Sequence, residues 1–565
     1  MKRYILLLFL LLPISFGSHN LTPASSPSSV NVAVLTQHND NQRTGANLNE
    51  PILNTSNVRL GSFGKLFTRA VDGQIYAQPL YIPGVSIPNK GVHNVVYVAT
   101  EHNSIFAFDA DNPLASAPLW SVNLGPSAPV PADFGDRNGP YYDITVEVGI
   151  TGTPVIDPGT NTLYVVTFNR DPVPPACPCK YRHFLHALDI TSGIEKFGGP
   201  VQIAGSVPGV GVDSSNGVVT FDSHQQLQRS SLLLSNGVVY VAFGGYSDTD
   251  PYHGWLFGFN VATLAPVAIF NTTPNAIQTP DDPNPGEGGI WQSGEGPSVD
   301  SAGYIYVATG NGSFDANTSG GDFGDSVLKL DPQNIQNGLL PVTDWFAPYD
   351  QLILSQSDLD LGSTGVLLIP GTQFLVVGGK EGKLYLIDKT NMTHFNGPNG
   401  PDLVVQSFKG SLSLLFNSPV FWSRPAGSLV YVWGLNSPLM AFSFDGSRFQ
   451  ETPVATGPSV PNLAFPGAAL SLSANGSDPK TGIVWSSHPI KGSLQGVLRA
   501  YDASDISKEL WNSDADPSAH DQVGAHTKFN SPTVANGKVY LGTTSNQLVV
   551  YGLFIKGTIF FPIIH

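Results

Sequence analysis

A pair of apolar segments recurs eight times along the chain, and this repeat narrows the fold more than any other feature. The unit is a segment like VYVAT, a turn, then a segment like LxAxD. It reads VVYVATEHNSIFAFDA at 95–110, LYVVT (163–167) with FLHALDI (184–190), VVYVAF (238–243) with WLFGFN (255–260), and YIYVATG (304–310) with SVLKLD (326–331). It continues as FLVVGGKEGKLYLIDK (374–389), LVYVWGLNSPLMAFSF (429–444), IVWSS (483–487) with GVLRAYD (496–502), and KVYLGTTSNQLVVYG (538–552). Successive units begin about 55 to 75 residues apart. Alternating β-branched and aromatic residues bounded by Gly, Asn and Asp mark strands joined by turns. A third strand with Pro or a small residue precedes each pair, as in QPLYIPG, GTPVIDP and SPTVANG; a fourth follows some, as PLWSVNL does the first. Four antiparallel strands at this period make propeller blades, whereas solenoid repeats are shorter and sandwiches do not recur so regularly. The expectation is an all-β, eight-bladed β-propeller, with seven blades as the alternative. Its loops converge on one mouth of a central channel.

Composition agrees. Gly and Pro make up about a fifth of the 565 residues, while charged residues are 12%, a balance that suits turns rather than helices. A net charge of −16 leaves no basic patch for nucleic acid. The opening MKRYILLLFLLLPISFGSHN has two basic residues, a short apolar core and small residues near Gly17 and Ser18. This pattern reads as a signal peptide over 1–18, followed by a single secreted propeller domain over 19–565 without membrane insertion. The tail GLFIKGTIFFPIIH reads as a closing strand. Asn-x-Ser/Thr sequons occur at Asn20, Asn54, Asn271, Asn311, Asn317, Asn391 and Asn475, so a glycoprotein is expected. Cys177 and Cys179, two residues apart, make no structural staple. A loop disulfide, an intermolecular bond and two free thiols stay open.

The leading stretch QHNDNQRTGANLNEPILNTSNVRLGSFGKLF (37–67), the entry GQIYAQPLYI (73–82) and the blade signature ALDITSGIEKF (187–197) resemble the quinoprotein alcohol dehydrogenase superfamily. The resemblance covers essentially the whole chain after the leader. It implies pyrroloquinoline quinone (PQQ) over the channel with Ca²⁺ beside it, a metal that wants oxygen ligands. In GGIWQSGEGPSVDSAGYIYVATGN, it implies that Trp291 stacks on PQQ and Asn311 ligates the metal. It implies Glu147, in TVEVG, as another ligand, and Asp360 or Asp358, in SDLDLG, as the catalytic base, Asp360 also binding the metal. Lys380 would polarise a quinone oxygen, and Arg137, in DRNG, would meet a cofactor carboxylate. The family's adjacent cysteines are absent, and no Cys-x-x-Cys-His haem motif occurs. Asn311 also begins a sequon, and one amide cannot carry both a metal and a glycan. His38, Arg43, His526 and Lys528 are further candidates for the mouth, since both chain ends meet where a propeller closes.

Two functions follow. One is a PQQ- and Ca²⁺-dependent oxidoreductase acting on an alcohol or sugar. The other is a non-catalytic propeller whose channel mouth or rim binds an extracellular protein or glycan.

Overall fold

A computed structural model describes residues 33–130, 141–171, 181–246, 248–460 and 463–554, and the backbone of 135–136 and 139–140. The expected signal peptide, Arg137, Cys177 and Cys179 lie outside these residues. Eight four-stranded antiparallel sheets follow one another as the blades of a β-propeller. Their innermost strands begin at Leu80, Val155, Leu233, Ser298, Leu367, Val420, Ala469 and Thr533, which number blades 1 to 8. Each repeat read in the sequence is the second and third strand of one blade.

Strand periodicity explains the packing. Successive side chains of a strand face opposite sides of its sheet, so a blade between two others must be apolar on both faces. In blade 2, Leu163 and Val165 pack in the layer shared with blade 1, while Tyr164 and Val166 pack with Val239 and Val241 of blade 3. Blade 4 repeats the arrangement, with Ile305 and Val307 facing one way and Tyr306 and Ala308 the other. The core is therefore a ring of layers between blades. Each fully buried Val or Leu contributes about 1.5–3 kcal/mol to these layers.

The ring closes through its beginning. Phe63–Ala70 pairs antiparallel with Gln547–Leu553 and supplies the outermost strand of blade 8. Of the tail expected to close the sheet, Gly552 and Leu553 end the strand that pairs with Gly64 and Phe63, and the rest, beyond residue 554, is outside the described residues.

A second N-terminal element lies inside the ring. Residues 34–47 run past the innermost strand of every blade in order. Val34 bridges Tyr81 of blade 1, and the Leu35 carbonyl accepts from Ile156 N–H of blade 2 (2.9 Å). Asn41 Nδ2 donates to the Leu234 carbonyl of blade 3 (2.9 Å). The carbonyls of Asn41, Gln42, Thr44 and Gly45 accept from Val299, Leu368, Phe421 and Leu472 of blades 4 to 7. Asn47 Nδ2 finishes on the Val534 carbonyl of blade 8 (2.7 Å). Left-handed backbone at His38, Asn39, Arg43 and Gly45 turns this strap, and a Cβ at Gly45 would lie 2.4 Å from Val420 Cγ1. Arg43, fully buried, locks it: its guanidinium donates to Thr36 Oγ1 and to the carbonyls of Gln37, Leu232 and Pro297.

Candidate functional site

The loops leading into the innermost strands surround a cavity of about 510 Å³. In five blades the fourth residue before the innermost strand lines it: Arg229 before Leu233, Ser363 before Leu367, Phe416 before Val420, Phe465 before Ala469, and Phe529 before Thr533. The blade repeat thus aims one position per blade at a common space.

Trp291, in the loop entering blade 4, lines this cavity with its indole seated on glycine backbone. A Cβ at Gly244 would lie 2.8 Å from Cδ2, one at Gly289 2.6 Å from Nε1, and one at Gly310 3.0 Å from Cδ1. Tyr252 meets the ring edge-on, with centroids 5.9 Å apart. The FGG, GGIW and ATGN stretches therefore build the seat for one aromatic platform.

Asn311 follows Gly310 at the end of a blade 4 strand. Its backbone N–H donates to Asp360 Oδ1 (2.8 Å), and its Nδ2 donates to Asp358 Oδ1 (3.1 Å). Its Oδ1 is buried and has no hydrogen-bond partner among the described residues. Both aspartates follow the short helix Gln351–Gln356. Asp358 takes left-handed backbone (φ 54), and Leu361 N–H donates to Asp325 Oδ1 (2.9 Å), docking the loop on blade 4. Lys380 Nζ lies 2.5 Å from Asp358 Oδ1 and 2.5 Å from Asp360 Oδ2. Burial opposes its charge, but Asp360 and Asp358 outweigh burial and hold the ammonium above the usual lysine range. Asp325, fully buried beneath, has its carboxyl pushed well up, by burial first and by Asp360 second. Asp248 joins the cavity wall. Two carboxylates thus bracket one ammonium, with Asp248 in the same wall, beside an amide oxygen with no donor. Oxygen donors in excess of positive charge suit a hard cation, and a flat indole against open space suits a planar ring. The residues present fit the implied pair.

Glu147 does not join them. It lies in the strand Glu147–Val148, where Val148 packs inward with Tyr76 and Ala128. Alternation turns Glu147 the other way, toward His102 Nδ1 (2.9 Å) and the Ser127 hydroxyl. Glu147, expected as a second metal ligand, is therefore not among the residues lining this cavity. Lys528 lines the cavity, paired with Asp143 (2.5 Å). His38, Arg43 and His526 do not; His38 and Arg43 are buried in the strap.

Near Glu147, Glu101 is fully buried and accepts from Gly149 N–H (2.7 Å) and the Thr151 hydroxyl (3.1 Å). Burial, partly offset by these two bonds, pushes its carboxyl up from 4.5 to about 7. Between those values the native chain holds a proton that the unfolded chain has released. Its stabilising contribution is complete below the unfolded value and is lost as pH rises through about 7, by about 3 kcal/mol in all. Glu101→Gln should flatten the decline in urea midpoint between pH 5 and 8. A decline as steep as that of the unaltered protein would remove Glu101 as its cause.

The sequons divide by exposure. Asn317, Asn391 and Asn475 are exposed, whereas Asn271 and Asn311 are buried. At Asn311 the attachment nitrogen donates to Asp358 Oδ1 (3.1 Å).

Neither a protein-family model nor a curated protein matches the sequence. Solved structures share the architecture. The quinohemoprotein alcohol dehydrogenase from Comamonas testosteroni aligns over 94% of this chain and 82% of its own, with 14% identity and a TM-score of 0.54. A europium-containing methanol dehydrogenase aligns over 92% of this chain and 98% of its own, with 13% identity and a TM-score of 0.52. Quinohemoprotein alcohol dehydrogenase ADHIIG from Pseudomonas putida HK5 aligns over 94% and 82%, with 13% identity and a TM-score of 0.52. The chain shares the propeller fold of these enzymes.

Proposed function

We propose that this cavity holds PQQ with Ca²⁺ beside it, and that the secreted protein oxidises a small alcohol or sugar there. One observation carries the reading. A seated indole and a lysine-bridged aspartate pair line one cavity, and Asn311, bonded to both aspartates, brings an amide oxygen without a donor beside them. When bound, the quinone would accept two electrons and the metal would act as a Lewis acid.

The chain's own groups take the remaining roles. Trp291 offers its open face, and Asn311 Oδ1 with Asp360 and Asp358 offers oxygen donors. Lys380 is a hydrogen-bond donor for a carbonyl oxygen. Asp360 accepts the substrate proton; because Lys380 is shared, it can stay paired with Asp358 while Asp360 Oδ2 turns to substrate. Phe416 and Phe465 exclude water. Structural likeness to alcohol and methanol dehydrogenases supports this reading. Electrons would leave to an external acceptor.

A non-catalytic propeller is the second reading, favoured by Glu147 facing away from the cavity. Titration of metal-stripped protein with PQQ, with and without Ca²⁺, separates the two, following tryptophan quenching and melting temperature together. A ligand that binds only the folded chain adds about 2.7 kcal/mol of stability at a hundredfold excess over Kd. Calcium-dependent quenching with a raised melting temperature is the expected result. No response from folded protein would turn the search to protein or glycan partners of the mouth and rim.

A further inference from the structure

Arg229 has no role in the chemistry above, yet it occupies the cavity-facing position of blade 3. It is 7% exposed. Its guanidinium lies over the Phe529 ring, 4.4 Å from the centroid, and 5.9 Å from that of Tyr76. Among the described residues it makes no side-chain hydrogen bond and no ion pair, and its Nε is buried without a partner. The other buried arginines differ. Arg43 donates to four acceptors, and Arg69 donates to the carbonyls of Thr68, Asn112 and Pro113. The other two cations of the cavity are paired, Lys380 with Asp358 and Asp360, Lys528 with Asp143.

Buried donors without hydrogen-bond partners are costly, and the guanidinium's fork of donors matches the two oxygens of a carboxylate. The aromatic support beneath it is itself held in uncommon backbone, Phe529 having φ 62.

We propose that Arg229 binds the carboxylate of a small acidic ligand whose apolar body rests on Phe416, Phe465 and Phe529. Asp143, Asp248, Asp358 and Asp360 share the wall with Lys380, Lys528 and Arg229, and of the three cations only Arg229 lacks an ion pair among the described residues. The inference rests on the reading of this cavity as a small-molecule site and needs neither quinone nor metal. The carboxylate belongs to the substrate or to the cofactor, and the experiment has one arm for each.

The full chain, stripped of metal, is titrated calorimetrically with phenylacetate and its neutral counterpart phenylacetamide, and separately with PQQ, with and without added Ca²⁺. The acid should bind at least tenfold more tightly than the amide. Arg229→Gln should weaken phenylacetate at least tenfold and leave the amide unchanged, with Arg229→Lys between. Its melting temperature should hold or rise, because an unpaired buried charge has been removed. Arg229-dependent phenylacetate binding without PQQ binding would sustain this proposal and end the cofactor reading. Loss of PQQ affinity alone in Arg229→Gln would assign the carboxylate to the cofactor. Undiminished affinity for both phenylacetate and PQQ in folded Arg229→Gln would overturn it.

Discussion

Arg43→Ala is expected to lower the unfolding free energy by about 4 kcal/mol, a loss large for one substitution. Four acceptors lose their donor at once: the Thr36 hydroxyl and the carbonyls of Gln37, Leu232 and Pro297. Each buried acceptor left unsatisfied costs about 1–3 kcal/mol. Removing a buried cation offsets part of this, since burial already pulls Arg43 down to about 10. Arg43→Lys should fall between the two, because one ammonium cannot span strap, blade 3 and blade 4 together. Urea denaturation at neutral pH provides the measurement. A change under about 1 kcal/mol would mean that the strap is held by its backbone bonds alone.

Asp360→Asn should lower kcat/KM for PQQ-supported alcohol oxidation about a hundredfold or more, the scale of a lost general base. The substitution is nearly isosteric: its Oδ1 can still accept from Asn311 N–H, and Lys380 keeps Asp358. PQQ quenching should therefore persist while turnover falls. Asp358→Asn is the control, because the Asp358 side chain is 72% exposed against 12% for Asp360, and it should cost less than tenfold. If Asp358→Asn proved the more damaging of the two, the base would be Asp358.

Much of the fold is readable without coordinates, for a physical reason. A strand buried on both faces must be apolar throughout, so VVYVAT or YIYVAT announces itself wherever it stands. The outermost strand of blade 8 is less visible, because Phe63–Ala70 pairs with residues near 550 and no local period reports a pairing across the chain. The strap is harder still. Residues 36–47 are mostly polar, and most of their contacts to the blades are backbone bonds, which no side-chain pattern records.

The site divides in the same way. Trp291, Asn311, Asp358, Asp360 and Lys380 are legible through their order along the chain, and the structure gathers them. Glu147 stands apart from them, because one step along a strand reverses a side chain and the TVEVG pattern does not say which face meets the cavity. Arg229 went unnoticed because its repeat position holds Arg, Ser or Phe in different blades. Only the position recurs, four residues before each innermost strand, and aligning the blades on that strand would have found it.

The strap also bears on how the chain is made. Its residues are among the first of the propeller to be synthesised, yet their bonds are completed only when blade 8, the last, is in place. A stacked repeat protein can fold unit by unit from either end. Here a nascent chain of seven blades would have an open seam and an unfinished axle, with contacts of the longest sequence separation still to form. Nascent chains ending at successive blades should therefore gain protease resistance in one late step rather than eight, and exposed blade edges make that interval the one in which a chaperone matters most.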